Sequence, residues 1–197
     1  MVVRPGVYVP RWQSTELAQR AAACLPAQGT AVDLCTGTGA LALVLQRARP
    51  RARIVATDAD PLAVACARAN GVDALLGDLF DPFPCDLRGH TDVVVAVPPY
   101  VPTGALALLP RDTLGYEDAA HYDGGPSGTD VLERIAAGAL VFLRPGGSVL
   151  LEIGGDQATS LRPLLEGLGY VGVTTWADED GDVRGIQAVA GAVPAQR

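Results

Sequence analysis

The sequence predicts an α/β protein built as a Rossmann-like, doubly wound seven-stranded sheet with a reversed C-terminal β-hairpin. Three observations carry that prediction. A glycine-rich turn, Asp33-Leu-Cys-Thr-Gly-Thr-Gly39, separates a short apolar run from a helical one. Short apolar runs then alternate with three-and-four periodicity as far as Leu168, the pattern of β-α units. Last, Tyr170 to Trp176 and Gly185 to Val189 are β-patterned runs joined by an acidic, glycine-containing turn, which reads as an antiparallel pair. A length of 197 residues suits one domain, taken as 29–197, preceded by an N-terminal lid segment, 1–28.

The elements follow in order. Thr15 to Cys24 has helical pattern, with Ser14 as its N-cap candidate. Ala31 to Leu34 is a buried strand, and Leu41, Val44, Leu45 and Ala48 put apolar groups on one face of a helix over Ala40 to Ala48. Arg53 to Thr57 is a β-branched run ending at Asp58, and Asp60-Pro61 caps and opens the next helix. Asp73 to Leu76 is a third strand. Asp92 to Val97 is a fourth, continuously apolar as a sheet centre buried on both faces must be. It stops at Pro98-Pro99-Tyr100. About thirty residues rich in Gly, Pro and polar groups follow, a length that within a compact domain is usually functional. Thr129 to Phe142 is helical, Arg144-Pro-Gly-Gly147 turns the chain into a strand over Ser148 to Ile153, and Leu161, Leu164, Leu165 and Leu168 mark a helix ended by Gly169.

A strand, a glycine turn and a helix make half a nucleotide site, because Gly37 and Gly39 let the backbone pass close to a ligand and the helix start offers N–H groups. Two cofactors compete for it. Gly37-Thr-Gly39-Ala-Leu-Ala42, with Asp58 about 20 residues on, also fits the dinucleotide fingerprint. Asp33 discriminates: a carboxylate at the strand end repels a pyrophosphate but attracts a ligand carrying an ammonium and a sulfonium, which favours S-adenosylmethionine over NAD. Asp58, at the second strand end, suits the ribose hydroxyls. Asp78, at the third, suits the adenine amino group, with Leu79 and Phe80 over the ring.

The composition excludes several classes. A formal net charge of -7 argues against a nucleic-acid or anionic-membrane surface, since neutralising phosphates requires clustered cations. All 15 cations are arginine, a bias with no functional reading. Cys24, Cys35, Cys66 and Cys85 lack paired spacing and only His90 and His121 could join them, so no metal site is expected. The first residues lack the apolar core of a signal peptide, and Arg or Pro interrupts every apolar run before a membrane span, so a cytoplasmic protein is expected.

Taken together, Val9-Pro10-Arg11 followed by Thr15-Glu16, the glycine turn, Asp58, Asp78, Pro98-Pro99-Tyr100, and Glu117 followed by Asp123-Gly124-Gly125 resemble the class I methyltransferases of the HemK (PrmC) type. Members of that family methylate a glutamine side-chain amide in peptide-release factors. The likeness runs from about Val7 to Val189. It implies that Asp33, Gly37 and Gly39, with Cys35 and Thr36 between them, hold the methionine part of the cofactor, that Asp58 and Ala59 hold the ribose, and that Asp78 and Leu79 hold the adenine. It also places Arg11, Thr15 and Val97 at the cofactor, and Pro98 and Tyr100 at the acceptor.

The chain departs from the pattern on the acceptor side. The family has Asn-Pro-Pro-Tyr, whose Asn side chain and first proline carbonyl receive the two N–H groups of the target amide; here the Asn position is Val97, which accepts no hydrogen bond. His121 and Tyr122 stand where small or aliphatic residues are usual, and His121 could act as a general base. Release-factor enzymes of the family carry an N-terminal helical domain, whereas here the catalytic pattern begins almost at once. These departures lead to the expectation of a peptide or small-metabolite acceptor methylated on N or O. A protein glutamine and a non-catalytic cofactor-binding role stand as alternatives.

Overall fold

A computed structural model describes residues 1–109 and 117–192. Seven residues of the long segment between Tyr100 and Gly128 therefore lie outside the described residues. The sheet lies between two helical layers that bury most of its apolar side chains. The strands are β1 (Thr30–Leu34), β2 (Arg53–Asp58), β3 (Ala74–Leu76), β4 (Thr91–Ala96), β5 (Leu143–Glu152), β6 (Tyr170–Ala177) and β7 (Val183–Ala190). The helices are α1 (Ser14–Cys24), α2 (Ala40–Ala48), α3 (Pro61–Ala69), α4 (Asp130–Phe142) and α5 (Gln157–Leu168).

The sheet order is β3-β2-β1-β4-β5-β7-β6, parallel through β5, with β7 antiparallel to β5 and to β6. That is the expected doubly wound sheet with its reversed hairpin. The order reverses at β1, whose neighbours are β2 and β4, so a crevice opens beyond the carboxyl ends of β1 and β4. Register fixes the floor of that crevice: Leu34 pairs with both Thr57 and Ala96, and Asp58 pairs with Leu76.

One face of the sheet packs Val32, Val94 and Leu151 against Leu132, Ile135 and Leu161 of α4 and α5. The other packs Ala31, Val93 and Val95 against Leu17 and Ala21 of α1 and Leu45 of α2. Leu17, Ala21 and Leu25 are all about fully buried. At roughly 25 cal/mol per Å², each such leucine contributes on the order of 2 kcal/mol. The chain before residue 28 thus divides differently from the expected lid segment: α1 belongs to the core layer, and only the stretch ahead of Ser14 crosses the strand ends.

Two local expectations change. Ser14 does not cap α1; Gln13 occupies the N-cap without a side-chain bond, because the Ser14 hydroxyl is drawn to a buried carboxylate, Glu152. Leu143 to Gly147 is not a free turn, since β5 begins at Leu143, which pairs with Thr91 across a register irregularity before Ser148 pairs with Val93. Asp60 does cap α3, accepting from Leu62 N at 2.8 Å, with Pro61 in the first turn.

Candidate active site

The half of the candidate site expected to hold the cofactor is made from strand ends. Beyond β1 the chain turns through Cys35 (φ 54°) and Gly37 (φ 55°) to Gly39 (φ 83°), the N-cap of α2. A Cβ on Gly39 would lie 2.7 Å from Val72 Cγ2, so packing as well as φ demands glycine there. Asp33 sits beneath the turn, 1% exposed. Its Oδ2 accepts from Thr36 Oγ1 at 2.6 Å and from Ala42 N at 3.2 Å, which caps the first turn of α2. Burial pushes its carboxyl up to about 7, against the pull of those two donors. No basic side chain pairs with Asp33 among the described residues. A buried carboxylate short of a cation, beside two side-chain-free glycines, fits an ammonium or sulfonium ligand.

Asp58 follows at the end of β2. Its Oδ2 accepts from Gly37 N at 2.8 Å and its Oδ1 from Asp60 N at 3.0 Å, so the β2 end and the glycine turn are held as one unit. Burial raises its carboxyl above the usual range. Ala59, beside it, is exposed. At the β3 end Leu79 adopts φ 47°, the second non-glycine residue in the left-handed region, and both lie in this half of the site. The conformation is held by Thr57 Oγ1, which donates to Leu79 O at 2.9 Å. Asp78 is exposed and pairs with Arg134 at 2.6 Å, which leaves it at the rim. Phe80 turns inward to stack on Phe142, 4.9 Å between centroids, and so belongs to the core layer instead of lying over a ligand ring.

The half expected to take the acceptor joins β4, β5, the segment after Tyr100 and the chain ahead of α1. Val97 and Pro98 follow β4. Val97 lines one narrow cleft with Asp33, Gly37, Ser14 and, from the other side, Tyr8 and Pro10. Tyr100 OH donates to Glu152 Oε1 at 3.2 Å, while Ser14 Oγ donates to Glu152 Oε2 at 2.6 Å. Glu152 is 3% exposed, and burial raises its carboxyl. The Asp123-Gly124-Gly125 turn packs directly on Tyr100, since a Cβ on Gly124 would lie 2.8 Å from Tyr100 Cα. Gln157 Nε2 ties Tyr100 O and Gly128 O together at 2.7 and 2.9 Å.

Across the top runs the N-terminal segment, pinned at three places. Val2 exchanges bonds with the Asn70 side chain at 2.6 and 2.8 Å. Gly6 bridges to Glu117, a buried carboxylate that also receives Arg11 Nη2 at 2.9 Å, Val9 N at 3.3 Å and the Tyr122 hydroxyl. Ser14 makes the third attachment, to Glu152. Tyr8 stands edge-on to Tyr122, 5.7 Å between centroids, and burial raises its hydroxyl to about 12. The space left beneath this segment is about 30 Å³, room for a water and no more. A larger open depression of about 720 Å³ lies at the opposite end of the strands, before β1 and β2, between Leu25, Pro26, Arg49 and Arg51, and gathers no set of reactive groups.

The expected site residues are thus distributed unevenly. Asp33, Cys35, Thr36, Gly37 and Val97 share one cleft, and Gly39 and Asp58 support it. Arg11 faces Glu117 and Tyr122, and Thr15 is exposed on α1, its place on the cleft being taken by Ser14. His121 Nε2 lies 3.4 Å from Asp60 Oδ2, at the β2 end. Tyr8 and Ser14, which line the cleft, and Glu152, which binds Ser14, are not among the residues the sequence pattern points to. For Glu152 a signal existed, a lone carboxylate in the apolar run Val149-Leu-Leu-Glu-Ile153.

Comparison with known proteins agrees with this architecture. Residues 14–108 match the model of the methyltransferase small domain. The chain is 41% identical over 179 residues to a release factor glutamine methyltransferase of Moorella thermoacetica, covering 85% of this chain and 61% of that one. It is 35% identical over 176 residues to the 4-amino-L-phenylalanine/4-methylamino-L-phenylalanine methyltransferase of Streptomyces pristinaespiralis, covering 84% and 60%. Its length therefore spans about three fifths of either relative. In structure it is similar to the release-factor-specific protein-(glutamine-N5) methyltransferase of Alicyclobacillus acidocaldarius, with a TM-score of 0.58 over 97% of this chain and 99% of that one at 22% identity. Strand order, glycine turn, acidic strand ends and these similarities converge: the chain belongs to the class I S-adenosylmethionine-dependent methyltransferases of the HemK/PrmC type.

Proposed function

We propose that this chain transfers the methyl group of S-adenosylmethionine to a nitrogen or oxygen of a small-metabolite or peptide acceptor. The observation that carries this reading is Val97. It lines the same cleft as Asp33 and Gly37, at the point where a planar side-chain amide needs an acceptor for one of its N–H groups. An unmet hydrogen bond to substrate costs on the order of 1–3 kcal/mol. An amine or hydroxyl acceptor has less need of that contact. The name of the Streptomyces relative, an amine of an aromatic amino acid, and the presence of Tyr8, Tyr100 and Tyr122 around the acceptor side support the same reading.

The residues divide the work. S-adenosylmethionine, when bound, supplies a methyl group on a sulfonium, a good leaving group that needs no covalent help from the protein. Asp33 meets positive charge in the methionine part, Gly37 and Gly39 make room for it, and Asp58 accepts from ribose hydroxyls. The Pro98 carbonyl and the Tyr100 ring orient the acceptor, and Glu152 holds Tyr100. Residues 1–13 exclude water from the reaction by lying over the crevice, so they act as a lid that must lift for cofactor exchange.

Release of S-adenosylhomocysteine in the presence of 4-amino-L-phenylalanine, small peptides and a purified release factor tests the proposal. Turnover with an amine or hydroxyl acceptor, and a shift toward glutamine in Val97→Asn, are the expected results. A second reading, glutamine methylation, is favoured by the Moorella relative's name and by Pro98-Pro99-Tyr100; efficient modification of the release factor by the unaltered chain would establish it. Cofactor binding without transfer to any acceptor in a cell extract would instead mark a non-catalytic binding protein.

A further inference from the structure

We infer that His121 is a cofactor-binding residue, closing the ribose edge of the S-adenosylmethionine site. The inference rests on the cofactor reading above and departs from a general-base role. His121 ends a short 3-10 turn, Ala119–His121, in the segment that comes back from Glu117 toward Tyr100. Asp118 caps that turn, its carboxylate accepting from Ala120 N at 2.9 Å. The turn sends the imidazole across to the β2 end, where Nε2 lies 3.4 Å from Asp60 Oδ2.

Asp60 is in turn tied to Asp58, whose Oδ1 accepts from Asp60 N at 3.0 Å. The histidine is therefore one residue removed from the carboxylate assigned to the ribose. Contact with Asp60 orients the ring: Nε2 faces the carboxylate, which leaves Nδ1 on the other side of the ring. Nδ1 is buried and has no hydrogen-bond partner among the described residues. An orphaned ring nitrogen close to a carboxylate suits a vicinal diol, in which one hydroxyl donates to Asp58 and the other pairs with the imidazole. His121 is also anchored from both sides, by the Gly6 bridge to Glu117 and by Val101 N donating to Tyr122 O at 2.8 Å. Neighbouring groups thus hold the ring at the β2 end without requiring any ligand.

Calorimetric titration of the full chain with S-adenosylhomocysteine, and with its 2′,3′-dideoxy analogue, tests this. The expected result is about tenfold weaker binding of S-adenosylhomocysteine by His121→Ala, partial recovery in His121→Gln, and equal affinity of all three proteins for the dideoxy analogue. Thermal unfolding without ligand checks that the variants are folded. Unchanged affinity in His121→Ala overturns the inference, as does an equal loss with both ligands, which would make the residue a support for the segment. If the unaltered chain binds no S-adenosylhomocysteine, the cofactor reading itself fails, a result distinct from either.

Discussion

The two halves of the site are built by different means. The cofactor half is assembled from loops of a few residues at the ends of β1, β2 and β3, each held by bonds to the next strand end: Gly37 to Asp58, and Thr57 to Leu79. The acceptor half is assembled from residues 106 apart at Arg11 and Glu117 and 138 apart at Ser14 and Glu152. The first half is rigid by local geometry, so its residue types are constrained tightly. The second half depends on buried carboxylates, Glu117 and Glu152, reaching across the fold, and there side chains can change while the frame persists.

Substitutions can break this contrast, and the largest effect is expected in the cofactor half. Gly39→Val should lower the melting temperature by about 10 °C or more in thermal unfolding, because it combines φ 83° with a clash against Val72. Asp58→Ala should cost about tenfold or more in S-adenosylhomocysteine affinity by calorimetry, with a smaller effect on stability.

Asp33 sharpens the comparison through pH. Its folded carboxyl titrates at about 7, above its ordinary value, so the folded state binds the extra proton between about pH 4 and 7. Stability that is present below pH 4 is therefore lost as pH rises through 7, by on the order of 2–4 kcal/mol at full burial. Asp33→Asn should flatten that part of the profile in denaturant unfolding. Affinity for S-adenosylmethionine should run the opposite way, rising through pH 7 as the carboxylate ionises.

In the acceptor half the expected effects are smaller. Tyr100→Phe and Glu152→Gln should leave cofactor affinity within about twofold and show a coupling of about 1 kcal/mol in a double-mutant cycle on acceptor turnover. Smallest of all, Arg134→Ala should change stability by about 0.5 kcal/mol or less, because the Asp78 pair is half exposed on both sides. A large loss of cofactor binding there would assign Asp78 a stronger role than a rim residue.

The same contrast explains what was legible in the sequence. The glycine turn, Asp33, Asp58 and Asp60-Pro61 signal their places in the fold within a few residues, because helix starts and strand ends obey local rules. The reversed hairpin was legible too, from period-two patterning on either side of an acidic turn. Ser14 was read as a cap because nothing near it in sequence announces Glu152. His121 was read toward the acceptor because it precedes Tyr122, whereas the turn at Ala119 carries it to Asp60. Phe80 was read over the adenine, yet a stack on Phe142, 62 residues further along, wins it for the core.

The attachment of Ser14 to Glu152 also sets an order of assembly. As the chain is synthesised, β1, β2 and β3 with their helices can pair early, since their contacts span few residues. The stretch ahead of Ser14 has no partner at its third anchor until Glu152 emerges, and its second waits for Glu117. The half that recognises cofactor can therefore close around ligand while the half that chooses an acceptor is still unmade. Nascent chains stalled short of residue 152 would be expected to retain S-adenosylhomocysteine weakly, and to fasten it only when the final parallel strand is in place.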